Sequence, residues 1–357
     1  MKLTKKLTVI ALAFLMIFAI SGCNGLKIVK EIASVDGRTI SEGEFKYYLE
    51  NVKNQMQAEA GLSSDEEIES FWDGDIDGEK AADVAKNKAL EEAVRIEIAN
   101  ILAEEAGITV DTELKNQYKS IIEQGQADSL KETTGLDNDA LLELVLKEET
   151  AKAYASHLAK EKVDEFTPNP EEVAAKYQEE YVRVKHIFIS KTDLSAPEAM
   201  EETAPVETAD ETEATTDTEA SAKEYEEAQK LVAAEVFQKV QSGANFEALI
   251  AEYNEDPGME QQPDGYTFTK NSGMVQAFED AAFALEIGEI SEIVEQAQGW
   301  HIIKRYDLLS EGEEYTQHIS TITSEMSTDI FNAYIDSLKA NYTINIDQGA
   351  VDGIKIK

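Results

Sequence analysis

The chain has 357 residues, enough for two domains, and its 72 acidic residues against 32 Lys and Arg give a formal net charge of −40. This balance excludes a general nucleic-acid binder, because phosphate contacts need clustered Lys and Arg. It also argues against docking on anionic lipid through protein side chains. The single cysteine excludes a disulfide within one chain, so stability must come from packing.

The first 22 residues have the features of an export signal. Three lysines precede the apolar run 7–20, which is too short to span a bilayer comfortably. The run ends in Ile20-Ser21-Gly22-Cys23, which resembles the bacterial lipobox. Residues 1–22 are therefore predicted to be a lipoprotein signal peptide, and Cys23 the lipidated residue that anchors the chain at the outer face of a bacterial cell membrane. An ordinary signal peptide with a chance cysteine is the alternative.

The stretch that follows reads as mostly helical, because residues 24–167 contain no proline. A short strand over 32–35 ends in an Asp36-Gly37 turn, and a capping box at Ser41 begins the first helix. Further helices are expected at 82–106, near 111–124 and over 138–162. Their apolar stripes predict a helical core, and long amphipathic arms could also hold an extended client.

An acidic segment, 73–78, looks like the opening of an EF-hand loop. Counting from Asp73, the twelfth position is Val84 instead of the bidentate Glu that such a loop needs. The segment is therefore predicted to be an exposed acidic loop, and no metal site is expected.

Pro168 and Pro170 mark a change of organisation. After a helix near 171–180, the residues 181–189 alternate well enough to predict a strand. Residues 193–222 hold ten acidic residues and two prolines with no basic or aromatic side chain, which predicts a disordered insertion. A helix is then expected from about Lys223, with Ala228, Leu231, Val232, Val236 and Val240 on its buried side. Later elements are helices at 245–253, 276–284 and 313–340 and strand-like segments at 293–294 and 301–305.

Two histidines, His186 and His301, lie in strand-like segments far apart in sequence. If those strands pair centrally in one sheet, the imidazoles can meet, although a lone strand histidine is more often structural. Between the histidines come Tyr-Asn-Glu-Asp-Pro-Gly at 253–258, a Gly-Met…Phe-Ala-Leu segment at 273–285 and Gly-Glu-Ile-Ser at 288–291. This order and spacing resemble the parvulin family of peptidyl-prolyl isomerases.

The flanking segments at 33–37 and 106–110 resemble the N-terminal domain of PrsA- and SurA-type foldases. The resemblance implies an α+β fold, in which a parvulin domain of small antiparallel sheet and helices, residues 181–307, is inserted into a helical chaperone domain. That helical domain would consist of residues 23–170 together with a C-terminal helix and tail, 308–357.

The resemblance also implies a site that needs no cofactor and no metal, since rotation about an X-Pro bond requires only an apolar pocket that holds the twisted amide. Asp256 falls where the family carries Asp or Cys, although it could simply be a turn residue before Pro257. The implied catalytic residues are His186, Asp256 and His301, and the implied substrate-binding residues are Met274, Phe278 and Phe283.

Two positions depart from the parvulin pattern. The family commonly shows Gly-Gly-Asp-Leu-Gly-aromatic-Phe, whereas this chain has Pro263-Asp264-Gly265-Tyr266-Thr267-Phe268 and lacks the leucine. The threonine often found five residues before the second histidine is Gln296 here. Both changes could weaken catalysis while leaving peptide binding intact, and the acidic insertion would repel a phosphorylated substrate.

The leading hypothesis is a lipid-anchored, extracytoplasmic foldase that isomerises X-Pro bonds in unfolded or nascent exported polypeptides. A holdase whose parvulin domain only binds is the main alternative. A solute-binding lipoprotein of a transporter is a third, but that class usually shows repeated βα units in two lobes, which the sequence does not suggest. The oligomeric state stays open, with a homodimer among the options.

Overall fold

The computed structural model describes residues 30–62, 64–192 and 215–356. The predicted signal peptide and Cys23 lie outside these residues, as does the 193–214 part of the predicted insertion. Among the residues that the structure describes, no helix is both long enough and apolar enough to cross a membrane.

The N-terminal segment folds as a β-hairpin followed by helices. Asp36 and Gly37 form its turn with φ angles of 48° and 83°, and the Ser41 hydroxyl caps the first helix by accepting the Glu44 N–H. The elements are β1 (Glu31–Val35), β2 (Arg38–Ser41), α1 (Glu42–Glu59), α2 (Asp65–Asp73), β3 (Asp75–Ile76), β4 (Glu79–Lys80), α3 (Ala81–Glu105), α4 (Thr112–Glu123), α5 (Asp128–Thr134), α6 (Asn138–Glu161) and α7 (Val163–Phe166).

The acidic segment that looks like an EF-hand opening forms the small hairpin β3–β4 instead of an open loop. Asp77 and Gly78 have φ angles of 52° and 89°, the backbone geometry that tight two-residue hairpin turns require. The Lys80 ammonium lies 2.7 Å from the Asp75 carboxylate, so a cation of the protein itself partly balances the acidic charge.

The middle of the chain builds a second, four-stranded sheet with the order β6-β5-β8-β7, in which every pair is antiparallel. The strand β6 was not expected from the sequence. The elements of this region are α8 (Pro170–Glu180), β5 (Tyr181–Ser190), α9 (Thr215–Gln241), α10 (Phe246–Tyr253), α11 (Gly258–Gln261), β6 (Tyr266–Thr269), α12 (Gln276–Ala284), β7 (Val294–Glu295) and β8 (Gly299–Tyr306).

Helix α9 corrects two expectations. It begins at Thr215 instead of Lys223, so the 215–222 part of the predicted disordered insertion is helical. Ala228 and Leu231, both expected on the buried side, are exposed, Leu231 by 72%, whereas Ala233 and Val236 are buried against the sheet. Adjacent residues of a helix point about 100° apart, so Leu231 and Val232 cannot both face the sheet. Val232 is the one that packs against the core.

The C-terminal segment returns to the N-terminal one. It consists of α13 (Glu313–Leu338), a 3₁₀ turn (Lys339–Asn341), β9 (Ile344–Ile346) and α14 (Gln348–Asp352). Strand β9 pairs antiparallel with β1, giving the sheet order β2-β1-β9, and Arg95 of α3 donates two hydrogen bonds of 2.8 and 2.7 Å to Asp336 of α13. A helical domain built from both chain ends around an inserted α+β domain confirms the predicted fold class.

Candidate functional site

The two central strands of the four-stranded sheet bring the histidines together. Because β5 and β8 pair antiparallel with Phe188 opposite His301 and His186 opposite Ile303, both imidazoles lie on the same face of the sheet. Their Nδ1 atoms are 3.3 Å apart, so one of the two nitrogens carries the proton that lies between them.

Asp256 lies against this pair and accepts three hydrogen bonds. Its Oδ2 atom is 2.8 Å from His186 Nε2 and 2.7 Å from the Tyr266 hydroxyl, and its Oδ1 accepts the Gly258 N–H at 2.9 Å. Asp256 is therefore part of the polar network, and its role is not limited to starting the turn before Pro257.

The loop that carries Asp256 is fixed to strand β5 by its own side chains. The Phe188 N–H donates to Asn254 Oδ1 at 2.9 Å, and the Ser190 N–H donates to Glu255 Oε2 at 2.6 Å. Glu255 also accepts from Gln229 of α9 at 3.2 Å. Strand β5 pairs with β6 only as far as Val184, and beyond that point the loop supplies hydrogen-bond partners to the same edge of β5. These contacts hold the carboxylate of Asp256 in one position.

The electrostatics of the network follow from burial and hydrogen bonding. Burial opposes the ionised form of Asp256, yet the hydrogen bonds from His186, Tyr266 and the Gly258 N–H hold its pKa well below the usual value. Burial and the Asp256 carboxylate raise the pKa of Tyr266. Burial, then the neighbouring His186, lowers the pKa of His301 to about 4, so His301 is neutral near pH 7.

A cavity of about 360 Å³ opens beside the network. Its apolar wall includes Phe278, whose ring meets the imidazoles of His186 and His301 edge-on with centroid separations of 5.2 and 5.3 Å. The cavity is lined by His186, Phe188, Asp256, Tyr266, Met274, Val275, Phe278, Gln296, Gln298 and His301.

Five of the six predicted site residues line this cavity, and Phe283 does not. Its ring packs edge-on against Phe268 at 6.0 Å, and Phe268 in turn lies 6.1 Å from Phe278. Phe283 therefore supports the wall from the core behind it. Cys23, the predicted lipidation site, lies outside the described residues.

Sequence reasoning missed Tyr266 as a site residue, although its segment was noted for lacking the family leucine. Its role depends on the hydrogen bond to Asp256, a residue ten positions away, which the local sequence does not display. Gln296 lines the cavity where a threonine is often found in the family, and its buried Nε2 has no hydrogen-bond partner within the part of the chain that the structure describes. Phe188 and Val275 lie in segments that the sequence analysis used but were given no role there, and Gln298 lies in none of those segments.

Comparison with known proteins identifies both parts of the chain. A family model described as "PPIC-type PPIASE domain" matches residues 171–307, and one described as "SurA-like N-terminal domain" matches residues 2–145. Solved structures of PrsA from Bacillus cereus and Streptococcus pneumoniae are 18% and 14% identical. Each match covers 92% of this chain, with 93% and 96% of the other chains covered and TM-scores of 0.29 and 0.31.

Curated relatives named "Foldase protein PrsA" match to different extents. The one from Oceanobacillus iheyensis is 36% identical over 112 residues, which is 31% of this chain and 37% of the relative. The relative from Caldanaerobacter subterraneus is 25% identical over 76% of this chain and 72% of its own length. The relative from Clostridium perfringens is 24% identical over 99% of this chain and 98% of its own length. The chain belongs to the PrsA/SurA-like foldases, a family of chaperones and isomerases that carry a parvulin-type peptidyl-prolyl isomerase domain.

Proposed function

We propose that this chain is a membrane-anchored, extracytoplasmic foldase that isomerises X-Pro bonds in unfolded exported polypeptides. The observation that carries the proposal is the cavity, in which an apolar wall from Met274 and Phe278 faces the hydrogen-bonded group of His186, His301 and Asp256. A prolyl ring fits the apolar wall, while the amide bond on its N-terminal side lies against the polar group.

The reaction is a rotation, and no covalent bond has to break. The planar amide is stabilised by resonance, which gives a barrier of about 18–20 kcal/mol. Water stabilises the polar carbonyl of the planar form, so an apolar cavity that removes this water lowers the free energy of the twisted form relative to the planar one. The residues of the cavity are of the kind this mechanism requires.

The carboxylate of Asp256 acts by its fixed charge. Because it accepts three hydrogen bonds, it stays ionised and is poorly placed to attack the amide as a nucleophile. A negative charge held beside the amide oxygen disfavours the planar, charge-separated resonance form of the amide. The twisted transition state, in which that oxygen carries less negative charge, is favoured.

The proposed lipid anchor at Cys23 holds the isomerase at the membrane face where exported polypeptides emerge. Exported polypeptides emerge unfolded, and their X-Pro bonds isomerise in tens of seconds or more without a catalyst. We expect labelled palmitate to be incorporated into the wild-type chain in bacteria and not into a Cys23→Ser variant, which should be released from the membrane. A Cys23→Ser chain that still incorporates lipid and stays on the membrane would remove this part of the proposal.

A protease-coupled assay with a proline-containing tetrapeptide tests the enzymatic part. Phe278→Ala removes the wall of the cavity, and we expect kcat/KM to fall by at least tenfold, the factor for about 1.4 kcal/mol of transition-state binding. Phe283→Ala is the matched control, because the same side chain is removed from the same apolar cluster outside the cavity lining. No activity in the wild type would contradict the proposal, and a full loss in a folded Phe283→Ala variant would return Phe283 to the binding site.

A second function is favoured by one observation. Gln296 stands where the family often has threonine, and its buried Nε2 has no hydrogen-bond partner among the described residues, so the hydroxyl that the family offers to the histidine pair is replaced by an unpaired amide. A holdase that binds prolyl segments without fast isomerisation would have such a site. The holdase is identified if the wild type has no isomerase activity but suppresses the aggregation of an unfolded client. Phe278→Ala should then abolish this suppression.

A further inference from the structure

We propose that Tyr266 is a positioning residue, which fixes the Asp256 carboxylate through its hydroxyl and, through that carboxylate, the ring of His186. The inference rests on the proposed isomerase function. It assigns a role to a residue for which the sequence motifs predict none. Tyr266 lies on β6 in the segment where the parvulin pattern has its leucine and glycine.

The geometry of the three residues supports this role. The Tyr266 hydroxyl and His186 Nε2 both hydrogen-bond to the same oxygen, Oδ2 of Asp256, at 2.7 and 2.8 Å. The rings of Tyr266 and His186 meet edge-on with centroids 5.7 Å apart. One carboxylate oxygen is thus held between a tyrosine and a histidine, and its position sets the ring orientation of His186.

The backbone is shaped to admit the hydroxyl. A Cβ atom at Gly258 would lie 2.2 Å from the Tyr266 hydroxyl oxygen, so any larger residue there must displace it. Gly265 has φ of 94°, and a Cβ atom there would lie 2.3 Å from the Val184 carbonyl oxygen, so glycine lets β6 approach β5. Both glycines bring Tyr266 close enough to Asp256 for the hydrogen bond.

The charge on Asp256 links this geometry to catalysis. The titratable groups that interact with Asp256 are His186 on β5, His301 on β8 and Tyr266 on β6. Removing the hydroxyl takes away one of three hydrogen bonds to the ionised form, so the pKa of Asp256 rises. The ionised fraction at low pH then falls, and the ring of His186 loses part of its support.

A matched tyrosine lies on the opposite face of the same sheet. The Tyr306 hydroxyl, at the end of β8, donates to Glu247 of α10 at 2.6 Å. Both pairs join a strand tyrosine to a carboxylate, and burial raises the pKa of both tyrosines. Tyr306→Phe is therefore the control for Tyr266→Phe, since it removes the same kind of hydrogen bond away from the cavity.

The first experiment measures kcat/KM of the full chain on a proline-containing tetrapeptide from pH 2 to pH 8 in a protease-free assay, because the pKa of Asp256 lies well below its usual value. Tyr266→Phe should lower kcat/KM about tenfold at pH 7 and move the acid limb of the profile to higher pH, whereas Tyr306→Phe should leave both unchanged. An unaltered acid limb in a folded Tyr266→Phe variant would overturn the inference, because a merely structural role would leave this limb in place.

The second experiment is a double-mutant cycle with Gly258→Ala. In the wild type the added methyl group meets the Tyr266 hydroxyl, so kcat/KM should fall as far as in Tyr266→Phe. In the Tyr266→Phe background that hydroxyl is gone, and the same substitution should cost clearly less. Losses that multiply as independent effects would mean that Gly258 and Tyr266 do not act through one contact.

A spectroscopic measurement separates this inference from the proposed function. The carboxyl ¹³C resonance of Asp256, followed against pH, should titrate at higher pH in Tyr266→Phe than in the wild type and in Tyr306→Phe. This readout does not need turnover. An inactive wild type whose Asp256 titration still shifts would reject the isomerase function alone, and an active wild type without the shift would reject the role of Tyr266 alone.

Discussion

The two faces of the four-stranded sheet consist of alternate residues of the same two central strands, yet they differ in how completely they are packed. The rear face carries Ile187, Ile189, Trp300 and Ile302, which are buried against α9 and α10. The front face carries His186, Phe188 and His301 and leaves a cavity of about 360 Å³. Neighbouring residues such as Trp300 and His301 thus belong to two different environments.

The comparison shows how one strand can serve stability and chemistry at once. An apolar side chain on the rear face contributes by filling space, and its removal leaves a void. The polar side chains on the front face are costly to bury and are tolerated because each finds a partner. The three predictions below test whether the faces separate as the structure indicates.

The largest effect is expected from Trp300→Ala on the rear face. Trp300 is 3% exposed, and truncating a buried Trp typically costs about 3–5 kcal/mol of unfolding free energy. Urea unfolding should show this loss, while kcat/KM per folded molecule at low urea should stay near the wild-type value. A small stability change with a large loss of kcat/KM would mean that the faces are not separable.

An acid-dependent loss of stability is expected from the front face. The pKa of His301 is about 4 in the folded chain against 6.5 for an ordinary histidine, so the unfolded chain binds more protons between these values. Stability is therefore complete above pH 6.5 and falls by roughly 3 kcal/mol as the pH drops to 4. Below that, protonation of Asp256 adds a loss of the same sign, because its pKa is also lowered.

Urea midpoints measured between pH 7 and pH 4 check this acid dependence. A His301→Gln variant, which cannot titrate at this position, should lose less stability than the wild type over the same range. Equal losses in the two proteins would show that other groups cause the acid sensitivity.

The smallest effect is expected from Gln296→Thr. This substitution removes a buried amide without a partner and offers a hydroxyl to the histidine pair, as in the family pattern. We expect a gain of about 1 kcal/mol in unfolding free energy and a severalfold rise in kcat/KM. The exposed Gln298→Thr at the cavity mouth is the control. A drop in kcat/KM would indicate that the Gln296 amide itself contacts the substrate.

Sequence predicted the parts of the fold that depend on strong periodicity. The alternation around His186 and His301 is long, and both segments are strands that pair at the centre of the sheet. Strand β6 is only four residues long and pairs with residues more than eighty positions away, so no local pattern marks it. Tyr266 was missed with it, because its hydroxyl gains a role only when β6 meets the loop of Asp256.

Packing details were less predictable than elements. On α9, Leu231 and Val232 both satisfy an apolar stripe, and only the direction of the sheet decides that Leu231 faces outward. Phe283 shares an apolar cluster with Phe278, and sequence spacing does not tell which ring reaches the cavity. Such choices depend on contacts between distant segments, which one sequence does not display.

The pairing of β9 with β1 imposes an order on folding. The Asp36 N–H donates to the Thr343 carbonyl at 2.9 Å, and the Asp36 carboxylate accepts the Thr343 N–H at 2.7 Å, a sequence separation of 307 residues. As the chain emerges from its N-terminus, β1 must wait for β9, whereas the inserted domain has all its strands by Tyr306. Because domains generally fold as units, the isomerase domain can be complete before the helical domain that holds it closes.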